Sequence, residues 1–296
     1  LADEAVQVIS DAAVERLRTA AALTDCGDRY DVRGVAGHGG MGTVFVVHDS
    51  VLGRDVAIKV VDVVDARGER VERLRREARI LARLDHPAIV PVHDVGTLPD
   101  GRTFYVMKLI KGQRLDAIAD RPLPVRLDVF ARILDAVGFA HAQGVVHRDL
   151  KPENVMTGAF GEVYVMDWGV ALDGGSTVDR AVVGTPGFMP PEQERGQDVD
   201  LRADIYALGA ILAWLAGPDA PAIAHRAMRA NPADRYQSVE ALADEVSRFR
   251  QGLRVMAYEE PISERVVRIY RRYELPIVLL VAYVLVRFAL ILWKGV

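Results

Sequence analysis

The stretch His147–Asn154, HRDLKPEN, is the feature that most constrains this chain. It places five ionisable side chains and one amide directly behind a mostly apolar helical run. In that run Leu127, Phe130, Leu134, Val137 and His141 share one stripe, and Gly144 marks a stop. Charge gathered beside a core is costly unless it is paired or acts on a ligand. Asp149 and Asn154 stand five apart in a loop that Pro152 keeps irregular. Asp167 follows at the end of a short apolar run, Val165-Met-Asp-Trp-Gly. The oxygens of Asn154 and Asp167 suit a hard cation such as Mg²⁺. Lys151 can neutralise a transferring phosphoryl group, and Asp149 can accept a hydrogen bond from an attacking hydroxyl. Such chemistry needs mainly positioning and charge neutralisation, and this loop holds groups for both.

The rest of the pattern divides in two. Residues 4 to 23 carry Val6, Ile9, Ala13, Leu17 and Ala20 at helical spacing, which predicts an amphipathic helix ahead of the main domain. From Tyr30 the period becomes that of strands: Asp31–Val35, a glycine-rich turn, Thr43–Val47, and Asp55–Val61. Helical spacing returns from Val71 to Leu84, and further strands fit Val90–Val95 and Thr103–Leu109. After Pro124 the chain is mostly helical. The fold class is therefore α+β, a small β-rich lobe followed by a larger helical one, with the seam near Lys111-Gly112.

Glycines at 37, 39 and 42 fit GxGxxG. Dinucleotide folds share that spacing, but there the loop opens a helix. Here Val44-Phe-Val-Val follows, which favours a β-turn-β flap able to lie over a triphosphate. An ordinary glycine-rich hairpin fits the same residues. Alternation puts Ala57 and Lys59 on one strand face, with Val56, Ile58 and Val60 on the other. Leu74, Glu77, Ala78 and Leu81 share one helical stripe, so Glu77 points inward and needs a partner. Lys59 is the candidate; two unrelated surface charges remain the alternative.

At 296 residues and net charge −4, the chain has no feature of a nucleic-acid binder. Its lone cysteine, Cys26, forms no disulfide within the chain, and residues 1 onward are not expected to act as a leader peptide. Mean hydropathy is +0.10, raised by residues 275 to 293, which are nearly all apolar. At about 1.5 Å per residue that run matches a hydrocarbon thickness of about 30 Å. Pro276 sits at its start and Trp293 at its end; Arg265, Arg268, Arg271 and Arg272 precede it and Lys294 follows. That charge bias predicts a single inner-membrane span with the main domain in the cytoplasm. Arg287 within the run opposes the reading, and a C-terminal helix packed on the main domain is the alternative.

Taken together, the motifs resemble those of bacterial eukaryotic-like (Hanks-type) serine/threonine protein kinases, over about Tyr30 to Gly252. The resemblance rests on Gly37-x-Gly-x-x-Gly-x-Val44, Val56-Ala-Ile-Lys59, Glu77, His147 to Asn154, Asp167-Trp-Gly169, Gly184-Thr185, Pro190-Pro-Glu192 and Asp204-Ile-Tyr-Ala-Leu-Gly209. It implies the bilobal protein-kinase fold, with residues 1–28 as an N-terminal extension and 29–252 as the kinase domain. The N-lobe would cover 29–111 and the C-lobe 112–252. Residues 253–274 would form a basic juxtamembrane linker and 275–293 the transmembrane helix. It implies ATP and Mg²⁺, transfer to Ser/Thr hydroxyls of proteins, and autophosphorylation. Expected partners are protein substrates, the membrane and, as an open expectation, a second copy of the chain.

The resemblance also assigns roles. Lys59 would hold the α- and β-phosphates and Glu77 would hold Lys59. Asp149 would be the catalytic aspartate, Lys151 the γ-phosphate contact, and Asn154 and Asp167 the metal ligands. Val35, Gly37, His38, Gly39, Gly40, Met41, Gly42 and Thr43 would form the phosphate-covering flap. Val44, Ala57 and Met156 would sandwich adenine, with Met107 the gatekeeper and the backbone from Lys108 to Ile110 at the adenine edge. Leu81, Val92, His147 and Trp168 would stack as a spine. Arg148 implies phosphorylation at Ser176 or Thr177, and Lys151 with Thr185 marks the Ser/Thr type.

Departures from the family pattern are Trp168 for Phe, Lys108 for an acid, Pro190 for Ala, and a shortened segment between Gly209 and Arg235, where a docking helix looks absent. Glu192 is expected to pair with Arg235. A pseudokinase scaffold that holds nucleotide without transfer is the alternative function; a small-molecule kinase fits the Gly184 to Glu192 segment less well.

Overall fold

In the computed structural model, residues 28–39, 42–61, 68–173, 184–217, 221–257 and 283–287 are described. Strands β1 (Tyr30–Gly39), β2 (Gly42–Asp49) and β3 (Arg54–Val60) form an antiparallel meander. Helix α1 (Glu69–Arg83) follows, and then β4 (Val92–Thr97) and β5 (Thr103–Lys108) complete a five-stranded sheet of order β1-β2-β3-β5-β4. The period of two sorts side chains cleanly between its faces. Phe45, Val47, Val56, Ile58, Val60, Phe104 and Val106 pack into an outer cluster with Tyr30 and Leu98. Ala57, Tyr105 and Met107 face the other way, into a larger core with Leu74, Ala78 and Leu81 of α1. Gly42 must be glycine: its φ is +148°, and a Cβ there would lie 2.0 Å from the Val60 carbonyl oxygen.

Strand β4 begins at Val92, two residues later than the expected Val90. Pro91 has no N–H to give to a ladder, and its carbonyl accepts instead from the Lys108 amide at 3.1 Å.

The helical lobe starts with β6 (Gly112–Arg114) and α2 (Leu123–Ala142). The predicted stripe is buried: Leu127, Phe130, Leu134 and Val137 lie in the core with Ile133, Ala136 and Ala140. The helix ends two residues before Gly144. Beyond it come β7 (Val145–Val146), β8 (Val155–Gly158), β9 (Val163–Val165) and β10 (Leu172–Asp173). β6, β8 and β9 form one small sheet, and β7 with β10 another. Helices α3 (Pro191–Glu194), α4 (Arg202–Ala216), α5 (Pro221–Ala227) and α6 (Val239–Arg250) close the lobe.

α4 ends at Ala216 and α5 begins at Pro221. The two helices approach closely because position 209 has no side chain; a Cβ there would lie 2.6 Å from that of Ala227.

The expected Glu192–Arg235 pair forms, with bonds of 2.6 and 2.7 Å in a two-pronged geometry. Arg235 is 1% exposed and also donates to the carbonyls of Arg202, Arg229 and Ala230. One guanidinium thus ties α3 to the start of α4 and to the turn before α6.

Several expectations fall outside the described residues: the helix over 4–23, the linker arginines, Gly40, Met41, Ser176, Thr177 and most of 275–293. Residues 283–287 are helical, and Tyr283, Val284, Leu285 and Val286 are exposed. Among the described residues no helix is long and apolar enough to cross a membrane.

Removing one partner of a buried ion pair strands the other charge. Arg235→Ala is therefore expected to lower unfolding free energy by about 3–5 kcal/mol, read from the urea midpoint; a change below about 1 kcal/mol would contradict this role.

Candidate active site

Strand register aims the first part of the site. Val44, Lys59 and Tyr105 are direct cross-strand partners on β2, β3 and β5, so all three project from one face. α1 lies against that face and brings Glu77, 1% exposed, to meet them. The Lys59 ammonium donates to both Glu77 oxygens, at 2.8 and 2.9 Å. It reaches the Asp167 carboxylate at 3.1 Å. Burial opposes the charge on Lys59, but the Tyr105, Glu77 and Asp167 groups around it outweigh desolvation and hold its pKa well above the ordinary value. Burial likewise works against the Asp167 carboxylate, and the Lys59 ammonium more than offsets it, so its pKa is lowered.

The second part is the loop between β7 and β8. Lys151 is bonded to Asp149 Oδ2 at 2.9 Å and donates to the Thr185 hydroxyl at 2.7 Å. Thr185 donates in turn to Asp149 Oδ1 at 3.0 Å. Asn154 donates through Nδ2 to the Asp149 carbonyl at 2.8 Å and to its Oδ2 at 3.2 Å. That fixes the amide, and Oδ1 is the atom Asn154 has to offer a cation.

Two side-chain-bearing residues here adopt left-handed backbone, Arg148 at φ 69° and Asp167 at φ 58°. Each costs about 1–3 kcal/mol and persists where the surroundings over-determine it. Around Arg148 they do. Asp204 Oδ2 accepts from the His147 amide at 2.8 Å and Oδ1 from the Arg148 amide at 2.9 Å. Gln193 donates to the Arg148 carbonyl at 2.8 Å. His141 Nε2 adds a third bond to Asp204 at 2.8 Å. Ahead of Asp167, the Met166 carbonyl accepts from His147 Nε2 at 2.9 Å, and its amide donates to the Asn154 carbonyl at 2.8 Å. His147 lies against Trp168 with ring centres 4.6 Å apart and ring planes tilted by 54°. Both are buried with Leu81, and Val92 packs against the same core. Trp168 thus fills the position expected of an aromatic ring.

Most of the other described candidate residues lie on the strands and loops next to these groups. Gly37, His38 and Gly39 on β1 pair with Val44, Thr43 and Gly42 on β2. The His38 ring bonds Thr43 Oγ1 at 3.0 Å across the turn. Ala57 and Met107 are opposite one another, Ile110 packs on the core, and Met156 lies half-buried on β8. Lys108 turns away, its ammonium bonded to the Tyr164 hydroxyl. Val35 is the exception. It is paired with Phe45 and packs on the outer cluster, because a bulge between Val32 and Gly34 shifts the register. Its expected place over the cleft is corrected accordingly.

The sequence reading missed Tyr105, Gln193 and the pinning role of Asp204. Tyr105 donates its hydroxyl to Glu77 Oε1 at 2.9 Å. Its signal is the β3–β5 register, which links residues 46 positions apart.

Geometry of this kind has known counterparts. The protein kinase domain family matches residues 30–254. The chain belongs to the protein kinase family. It is 35% identical over 271 residues to the serine/threonine-protein kinase PknB of Mycolicibacterium smegmatis, covering 76% of this chain and 43% of that one. It is 42% identical over 199 residues to the DNA damage-responsive serine/threonine-protein kinase RqkA of Deinococcus radiodurans, covering 62% and 29%. The kinase-domain crystal structure of Mycobacterium tuberculosis PknI, as a double mutant, aligns with TM-score 0.61 at 28% identity, covering 75% of this chain and 96% of that one. This kinase-family chain spans less than half the length of these curated relatives.

Asp204 yields a pH prediction. Burial alone would raise its pKa, but bonds from His141 and from the loop amide lower it overall. The unfolded carboxyl titrates near about 4. Stability from Asp204 is therefore full above that pH and is lost as pH falls through the lower folded value. Asp204→Asn is expected to flatten the acid limb of a stability–pH curve; an unchanged limb would contradict the assignment.

Proposed function

We propose that the chain is a protein serine/threonine kinase that transfers the γ-phosphoryl group of ATP to Ser/Thr hydroxyls, held at the inner membrane by residues 275–293 with its catalytic domain in the cytoplasm. The observation that carries the catalytic reading is that the Lys59–Asp167 pair and the bonded set of Asp149, Lys151 and Asn154 are joined by the Met166 amide, next to Asp167, which donates to the Asn154 carbonyl.

The residues fit Mg²⁺ as a shared rather than self-contained site. Among the described residues no three His, Cys, Asp or Glu side chains cluster to hold a metal ion. Asn154 and Asp167 instead contribute one oxygen donor group each, which suits an ion that takes its other ligands from phosphates and water. When bound, Mg²⁺ supplies charge neutralisation along the phosphate chain.

Lys59, fixed by Glu77, holds the α- and β-phosphate oxygens. Asp149 orients the incoming hydroxyl through a hydrogen bond and takes its proton as the oxygen bonds to the γ-phosphorus and ADP departs. Lys151 faces the negative charge on the transferring group. By resemblance to the family, Lys151 together with Thr185 reads as the Ser/Thr type, and the two side chains are bonded to each other and to Asp149. The scaffold alternative draws on Trp168, which instead packs at 1% exposure against His147. For the membrane, support comes from the apolar run, the four preceding arginines and the exposed apolar residues at 283–286.

One experiment tests both halves. Membranes carrying the full chain are washed in alkaline carbonate and incubated with γ-labelled ATP and Mg²⁺. Washed wild-type membranes are expected to gain label on Ser or Thr. Asp149→Asn should abolish it, and Lys59→Met should lower it by at least a hundredfold, about 2.7 kcal/mol or more of barrier. Label confined to the wash would refute anchoring, and no label from folded wild type would refute the kinase reading.

A further inference from the structure

We infer that Tyr105 is a positioning residue for phosphoryl transfer, whose buried hydroxyl holds Glu77, and through it the Lys59 ammonium, in the working arrangement. The inference rests on the kinase reading above. Tyr105 stands directly opposite Lys59 in the β3–β5 ladder, so the two side chains approach Glu77 from adjacent strands. Its hydroxyl donates to Glu77 Oε1 at 2.9 Å, and the Lys59 ammonium lies 5.9 Å from its ring centre. Tyr105 is 2% exposed and the Glu77 side chain fully buried, so no solvent competes for these bonds.

Two consequences follow. A carboxylate held by Lys59 alone could pivot about that one ammonium and carry α1 with it. The phenol adds a second donor from a different strand and removes that freedom. Withdrawal of α1 would also leave both the Tyr105 hydroxyl and Lys59 buried without Glu77, which penalises the displaced state twice. Tyr105 lies two residues before Met107, so the same bond ties α1 to the strand that carries Met107 and Lys108.

The test is a double-mutant cycle on the full chain, with kcat and KM for ATP measured in each variant. Tyr105→Phe keeps the ring and removes the hydroxyl. It is expected to lower kcat roughly tenfold while shifting the melting temperature little. In a Glu77→Gln background the same change should alter kcat less than about twofold, because the partner it acts through is already impaired. A purely structural role would lower the melting temperature and multiply independently of Glu77. An unaltered kcat in Tyr105→Phe, or full multiplicativity in the cycle, would overturn the inference. If wild type transfers no phosphate, the kinase reading itself falls. The link is then read from amide exchange in α1, where faster exchange in Tyr105→Phe supports it and unchanged exchange overturns it.

Discussion

A single ammonium organises this molecule. Lys59 must remain charged in a nearly dry site, and an isolated buried cation would instead lose its proton or find water. The fold prevents both by surrounding it with Glu77 from α1, Asp167 from the loop after β9, and the Tyr105 ring and hydroxyl from β5. These elements come from three separate parts of the chain. The interaction that makes Lys59 useful is therefore also the one that sets α1 against the sheet and the upper lobe over the lower. A change at any of the three partners alters where the charge sits.

The lower lobe uses the same device twice more. Asp204 turns one buried carboxylate into a clamp on two consecutive amides, which holds Arg148 in left-handed backbone and so presents Asp149 to the cleft. Arg235 gathers Glu192 and three carbonyls about one guanidinium. That anchor joins α3 to α4, and the close approach at Gly209 joins α4 to α5. Buried charge here specifies geometry, and its contribution to net stability is secondary.

Where local pattern decides, the sequence was readable. Alternation on β3 put Lys59 on the face opposite Val56, Ile58 and Val60, and the stripe on α1 put Glu77 with its leucines; both are found so. The sandwich of functional residues around Pro152 was visible because charge next to a core is rare without cause. Features that depend on long-range register were not visible. Tyr105 reads as one more apolar strand residue until β3 and β5 are paired. The bulge that turns Val35 outward leaves no mark in the period, and the late start of β4 follows from one missing amide hydrogen at Pro91.

The most direct measurement of the central claim is a crystal structure of the full chain with Mg²⁺ and a non-hydrolysable ATP analogue. Lys59 Nζ is predicted within about 3 Å of an α- or β-phosphate oxygen, with the ion held by Asn154 and Asp167 and Asp149 facing the γ-phosphate. An analogue lodged away from these four side chains, or none bound at saturating concentration, would contradict it.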